Sequence, residues 1–305
     1  MKKTLLSLFG LGLALVSISG KPLDLSKVSR NANWLMHMDF DAMRNSDVGV
    51  FMRDKMDKIP EALDRMDKMK EKYGVDLEGF SYLTMSGTGE KHKGIAIMKG
   101  GLDPDMVIDF AESRGELEVS RLGKQTVYSS DRGRHSMAFA ALKKGVFVGG
   151  PDTDSVSEGI MLSKGKTASY QGHPILEILT NSVEDPGFIV FADVFGAVKN
   201  TEIDSRVMPM LEKVKAGGMV IGESKGLIQV VAVIETTSEE TSKQVEAMIR
   251  GGMAMIDMRA AQDKRLERFM QGHSIKRDGK MIWMKMKLSS DEIMDHLEKE
   301  MKKSV

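Results

Sequence analysis

WLMHMDFDAMRNSDVG (residues 34–49) and FIVFADVFGAVKNTEI (residues 188–203) share one plan. Each opens on an aromatic residue and runs through an apolar stretch to an aspartate, Asp39 or Asp193. Each then shows Ala-[Met/Val]-[Arg/Lys]-Asn-[Ser/Thr]. Side chains of an extended strand alternate between its faces, so 34–40 reads as a strand. Trp34, Met36 and Met38 fall on one face, and Leu35, His37 and Asp39 on the other. An acidic residue after a strand and before a helix-forming run caps the helix, and Asp41 stands at the expected N-cap. The repeated stretch is therefore a strand-to-helix folding signature rather than a catalytic loop.

Outward from the first copy, Met52, Met56, Ile59, Leu63 and Met66 follow the three-and-four spacing of an amphipathic helix. Pro60 divides that helix, because proline removes a backbone donor. FSYLTMSG (80–87) and GIAIMKG (94–100) flank a polar turn and read as a hairpin. Asp103 caps a helix with Pro104 at its first position. A second hairpin turns at Leu122-Gly123-Lys124, two further strands flank Lys143-Lys144-Gly145, and a helix is capped within 152–155.

From the second copy the order repeats. A strand at 186–194 precedes a helix expected from Phe195 to Lys215. A hairpin over 217–236 turns at Glu223–Gly226, and a long helix capped by Ser238 is expected over 239–270. A hairpin over 273–288 turns at Asp278-Gly279, a strong turn pair, before a C-terminal helix capped by Ser290. Asn45 with Asn200, and Gly123-Lys124 with Gly279-Lys280, are further anchors of the match. The second copy lacks the strand pair near 136–150, and its middle helix is longer.

These elements predict an α+β fold of two tandem related modules, 21–167 and 168–305. Each is antiparallel sheet with helices packed on one face, the two sheets being either separate or continuous. The helix within 168–185 forms the junction.

Residues 1–20, MKKTLLSLFGLGLALVSISG, have a basic start, an apolar centre and a small-residue end, the layout of a secretory signal peptide. The apolar run of about 12–14 residues is short of the roughly 20 a span requires. The chain has no Cys, which excludes a lipoprotein anchor and disulfides, so packing alone must hold an exported chain together. The expected location is periplasmic or extracellular.

Removing Lys2 and Lys3 with the leader leaves 42 basic against 44 acidic side chains, which gives no basis for nucleic acid as a partner. No later stretch reaches spanning length. The 26 Met are the unusual count, and Met fills irregular gaps.

Three constellations invite chemistry. Asp39 and Asp41, with Asp193, are the candidate ligands for a hard cation, the basis of an alternative reading as an enzyme or metal-dependent protein with a site between the modules. Met36-His37-Met38 offers soft copper ligands, but on a strand His37 points away from both methionines. Met248, Met255 and Met258 suit a buried helical stripe.

The six histidines, His92 and His135 in polar turns among them, lack zinc spacing, and no G-x-S-x-G occurs. Gly149-Gly150-Pro151-Asp152 leads from strand to helix, but Asp152 and Asp154 disfavour an anion there. No cofactor is implied. The charged helix 239–270 is the candidate surface for a protein partner or a second copy. The reading is an exported, non-enzymatic binding or structural protein of the cell envelope.

Overall fold

A computed structural model describes residues 22–90, 93–115, 117–131, 136–198, 208–260 and 272–303. The leader, His92, His135 and the span 261–270 of the expected long helix lie outside the described residues. The first half comprises β1 (Trp34–Asp39), α1 (Phe40–Asn45), α2 (Asp47–Met56), α3 (Pro60–Tyr73), β2 (Val75–Gly87), β3 (Ile95–Leu102), α4 (Pro104–Ser113), β4 (Glu118–Leu122), β5 (Gln125–Ser130), β6 (Met137–Leu142), β7 (Val146–Gly150) and α5 (Thr153–Ser163). The second half comprises α6 (Pro174–Thr180), β8 (Pro186–Asp193), α7 (Val194–Val198), α8 (Met208–Leu211), β9 (Val214–Ser224), β10 (Leu227–Thr236), α9 (Glu239–Ala260), β11 (His273–Asp278), β12 (Met281–Ser289) and α10 (Ser290–Lys303).

All these strands join one sheet, in the order β11-β12-β10-β9-β8-β1-β2-β3-β7-β6-β5-β4. The two copies of the signature meet at its centre. β1 and β8 pair antiparallel, with Trp34 opposite Ala192 and Met38 opposite Phe188. From that pair the strands of each half run outward. Of the two arrangements the sequence allows, the continuous sheet is the one formed.

Alternation along the strands sorts their side chains into two layers. One transverse row, Val231, Val220, Ile189, His37, Thr84, Ile97, Val148 and Ala140, crosses eight strands in register. Every member is buried. The polar pair in this row satisfies itself, because His37 Nδ1 and Thr84 Oγ1 lie 2.9 Å apart in hydrogen-bond contact. That face carries α6, whose Ile175, Leu176 and Leu179 pack with Leu35, Ile189 and Phe191. Val156, Ile160 and Leu162 of α5 pack there with Ile95 and Ile97.

The opposite face carries α1, α2 and α3. Helices therefore cover both faces, where the sequence predicts one. Phe188 and Ile189 are consecutive, so they point to opposite sides; Ile189 meets α6, and Phe188 meets the side of α1 and α2.

Two helix expectations change. The helix predicted from Phe195 to Lys215 does not reach Lys215, since β9 begins at Val214 and its ladder to β8 pairs Asp193 with Ala216; residues 199–207 of that expectation lie outside the described residues. Gly196 also lies against Asn33, where a Cβ would come within 2.4 Å of the amide carbon. α9 runs unbroken through Gly251 and Gly252. The helix is fastened through Val245 and Ser242, whose Oγ donates to Gly279 O at 2.6 Å. Met248, Met255 and Met258 do not form a buried stripe: they are 52, 60 and 67% exposed. The three-and-four spacing marks one face of the helix, but the sheet takes a different face.

Candidate functional site

The site begins at the first signature. Asp39, not Asp41, caps α1: its Oδ1 accepts the Ala42 N–H at 2.9 Å while the residue stays extended and buried. The helix starts two residues earlier than the sequence suggests, which frees Asp41 to accept from Arg44 and from the Ser81 hydroxyl. Asp193 repeats the capping role for α7, accepting from Gly196 N at 3.3 Å.

The antiparallel pairing puts Asp39 at one end of the central strand pair and Asp193 at the other, about 20 Å of strand apart. Asp39 and Asp41 are neighbours with separate partners, and Asp193 is not brought to them. Among the described residues, no group of three or more His, Cys, Asp or Glu could hold a metal ion.

α1 ends where Ser46 closes it and opens α2. Its N–H donates to Ala42 O, and its Oγ accepts from Gly49 N at 3.0 Å. This corner sends α2 away from the sheet, and Pro60 starts α3 on a return path. A cavity of about 710 Å³ lies beneath these helices.

The cavity floor is Phe188, Ile221 and Ile228 of β8, β9 and β10, and its walls are Phe40, Leu77 and four methionines, Met43, Met52, Met56 and Met66. Gly187 admits Met43 to the floor, since a Cβ there would stand 2.8 Å from Met43 Cγ. The charged lining residues are Arg44, Arg53, Asp57, Glu78, Asp185 and Glu223. Arg44 is already paired with Asp41.

A cavity lined this way can hold an apolar body without losing any buried hydrogen bond. Methionine side chains can refit to ligands of different shape. Part of the methionine excess thus lines a space rather than filling one. The sequence hides the cavity, because its lining comes from segments around 40–78, 185–188 and 221–228. Its one sequence signal is the methionine run on α2 and α3.

Two further hollows are smaller. One of about 110 Å³ is lined by Ser29, Ser86, Lys93, Ile95 and Glu158 among others, and the Ser29 hydroxyl donates to Glu158 at 2.5 Å. Another of about 420 Å³ lies between α3 and α4, beside Tyr73 and Phe110, whose rings meet edge-on at 4.8 Å. Behind the sheet, His173 caps α6, its Nδ1 accepting the Ile175 N–H at 3.2 Å, and its ring lies 4.8 Å from that of Phe191. Burial holds its imidazole below the ordinary value, against the pull of Glu235 and Asp193.

Among the described residues, no helix is long and apolar enough to cross a membrane. No protein-family profile matches the sequence, and no curated protein matches it. The fold does have likenesses among solved structures. Crystal form III of TP0453 superimposes with a TM-score of 0.51 at 9% identity, covering 90% of this chain and 97% of that one. Crystal form I of the same protein gives 0.48 at 9% identity, covering 90% and 96%. At that identity the likeness concerns the fold alone, a mixed α+β chain built on a large antiparallel sheet.

Proposed function

We propose that this is an exported, non-enzymatic binding protein of the cell envelope that holds an elongated apolar molecule, of the acyl-chain class, between its sheet and helices α1 to α3. The observation that carries the reading is the cavity itself. Its volume of about 710 Å³ lies within the roughly 300–1,000 Å³ of small-molecule sites. The signal-peptide layout of residues 1–20 supports export to the periplasm or beyond.

Titration of the delipidated mature chain with saturated fatty acids of increasing length tests the reading. Each methylene buried adds about 0.8 kcal/mol, or about fourfold in affinity, until the cavity is full. Met52→Trp, which fills the space, lowers the affinity. An affinity that does not change with chain length, or no binding at all, ends the proposal.

We read the chain as two related modules, 21–167 and 168–305. Support comes from the central β1–β8 pair, from the capping aspartate that ends each strand, and from the matching outward order of strands. In this reading the β6–β7 pair is an insertion between β3 and the outer hairpin.

A second reading concerns partners. Met248, Met255, Ile256 and Met258 leave an apolar stripe exposed on α9, which suits a second copy or another protein. Light scattering of the purified chain beside a Met255→Lys/Met258→Lys variant tests it. A dimer that dissociates on substitution supports the reading, and a monomer in both cases removes self-association.

A further inference from the structure

α2 is a wall of the cavity with no buried core residue of its own. It packs chiefly against α1 and α10, none of its residues is fully buried, and the cavity separates it from the floor of β8, β9 and β10. Something other than apolar packing on the sheet must set its distance from that floor. Two polar links do so.

The first is Glu223, near the end of β9. Its Oε2 accepts the Val48 N–H at 3.2 Å, in the first turn of α2, and its Oε1 accepts the hydroxyl of Ser290, the first residue of α10. Ser290 is buried, and its N–H donates to Gly226 O at 3.0 Å, so this end of α10 is fixed to the β9–β10 turn. One carboxylate thus satisfies donors at the starts of two helices that are far apart in sequence. Its negative charge lies at the favourable end of both helix dipoles. The second link is at the far end of α2, where Lys55 Nζ meets Glu298 of α10 at 2.7 Å.

We infer that Glu223 is the positioning residue of the cavity. It ties α2 and α10 to β9, so that α10 serves as a strut holding α2 off the sheet at the spacing an acyl chain needs. The inference rests on the acyl-chain reading for its ligand, but the clamp itself can be judged in the ligand-free protein.

The test compares wild type, Glu223→Ala and Glu223→Gln by hydrogen exchange without ligand, and by binding of hexadecanoic acid. Glutamine keeps an acceptor for Val48 N–H and gains a donor toward the Ser290 oxygen, so it should rescue part of what alanine loses. In Glu223→Ala the amides of 47–56 are expected to exchange roughly tenfold faster while those of β8 and β10 do not change. The dissociation constant should rise roughly tenfold, the scale of one lost charge-assisted hydrogen bond. Glu223→Gln, which keeps the hydrogen bonds but not the charge, should lie between wild type and alanine by both measures.

Unchanged exchange in α2, a uniform rise across the whole sheet, or equal damage from glutamine would each overturn the clamp. If wild type binds no fatty acid of any length, the acyl-chain reading fails, and the exchange data still decide for or against the clamp.

Discussion

Removing the Asp39 carboxylate separates the capping role from any cation chemistry. Asp39→Ala leaves the Ala42 N–H without its partner in a place water barely reaches, because Asp39 is 2% exposed. Loss of a cap costs about 0.5–2 kcal/mol, and burial puts this one near the upper end. For a chain of this size that lowers the melting temperature by a few degrees. Asp39→Asn keeps the acceptor oxygen and should cost less than about 0.5 kcal/mol.

Asp193→Ala gives the internal comparison. Its bond to Gly196 N is longer at 3.3 Å and Asp193 is less buried than Asp39, so the loss should be less than half that at Asp39. Urea denaturation of the four proteins with a common slope measures the order directly. Asp39→Asn as damaging as Asp39→Ala would refute the capping argument, because a cation ligand loses its charge in both and a cap loses its acceptor only in alanine. Equal losses at Asp39 and Asp193 would refute the use of bond length and burial to rank them.

Other outcomes follow from the packing. The folded state holds the His173 imidazole below its ordinary value of 6.5, and its Nδ1 must stay unprotonated to accept from Ile175. Stability from this residue is complete above about 6.5 and is lost as pH falls from there through the depressed folded value. His173→Asn, which keeps the cap, should flatten that part of a stability-against-pH curve measured by denaturant titration. Gly159→Ala should destabilise the protein by about 1–3 kcal/mol despite alanine's better helix propensity, since the new Cβ would lie 2.4 Å from Val148 Cγ1; a more stable variant in thermal melts would show that α5 can shift freely. Phe191→Ala removes a ring 1% exposed beneath α6 and should cost about 3–5 kcal/mol by chemical denaturation.

Local chemistry marks the hairpins of this chain in its sequence. Lys225-Gly226 and Asp278-Gly279 sit at turns whose Lys225, Gly226 and Gly279 take positive φ, a preference readable from neighbours alone. Pro104 likewise starts a helix where expected, and Pro60, expected to divide one, stands between α2 and the body of α3 as its first residue. Long-range choices were not readable. Nothing in 34–49 says that β1 will take β8 as its neighbour, and the cavity depends on α2 being held by residues 223 and 298.

The Asp39 and Asp41 exchange shows a subtler limit. Both are good caps, and only the point where the ladder with β2 ends, Asp39 opposite Tyr82, decides between them. The methionines of α9 misled for another reason. Periodicity identifies a face of a helix, and burial of that face needs a surface to receive it.

The central pairing of β1 with β8 has a kinetic cost. Residues 34–39 can form their ladder with β2 as soon as some fifty further residues are available, but the partner on their other side arrives only with residues 186–193. Until then the first half presents an unpaired strand carrying Trp34, Met36 and Met38, the sort of edge that recruits a neighbouring chain. A separately expressed half would keep that edge permanently, so cutting at the 167–168 junction should yield two aggregating fragments. Under the proposed export, a chain threaded through a membrane in extended form would need a holding chaperone to keep the early strand covered until the later one appears.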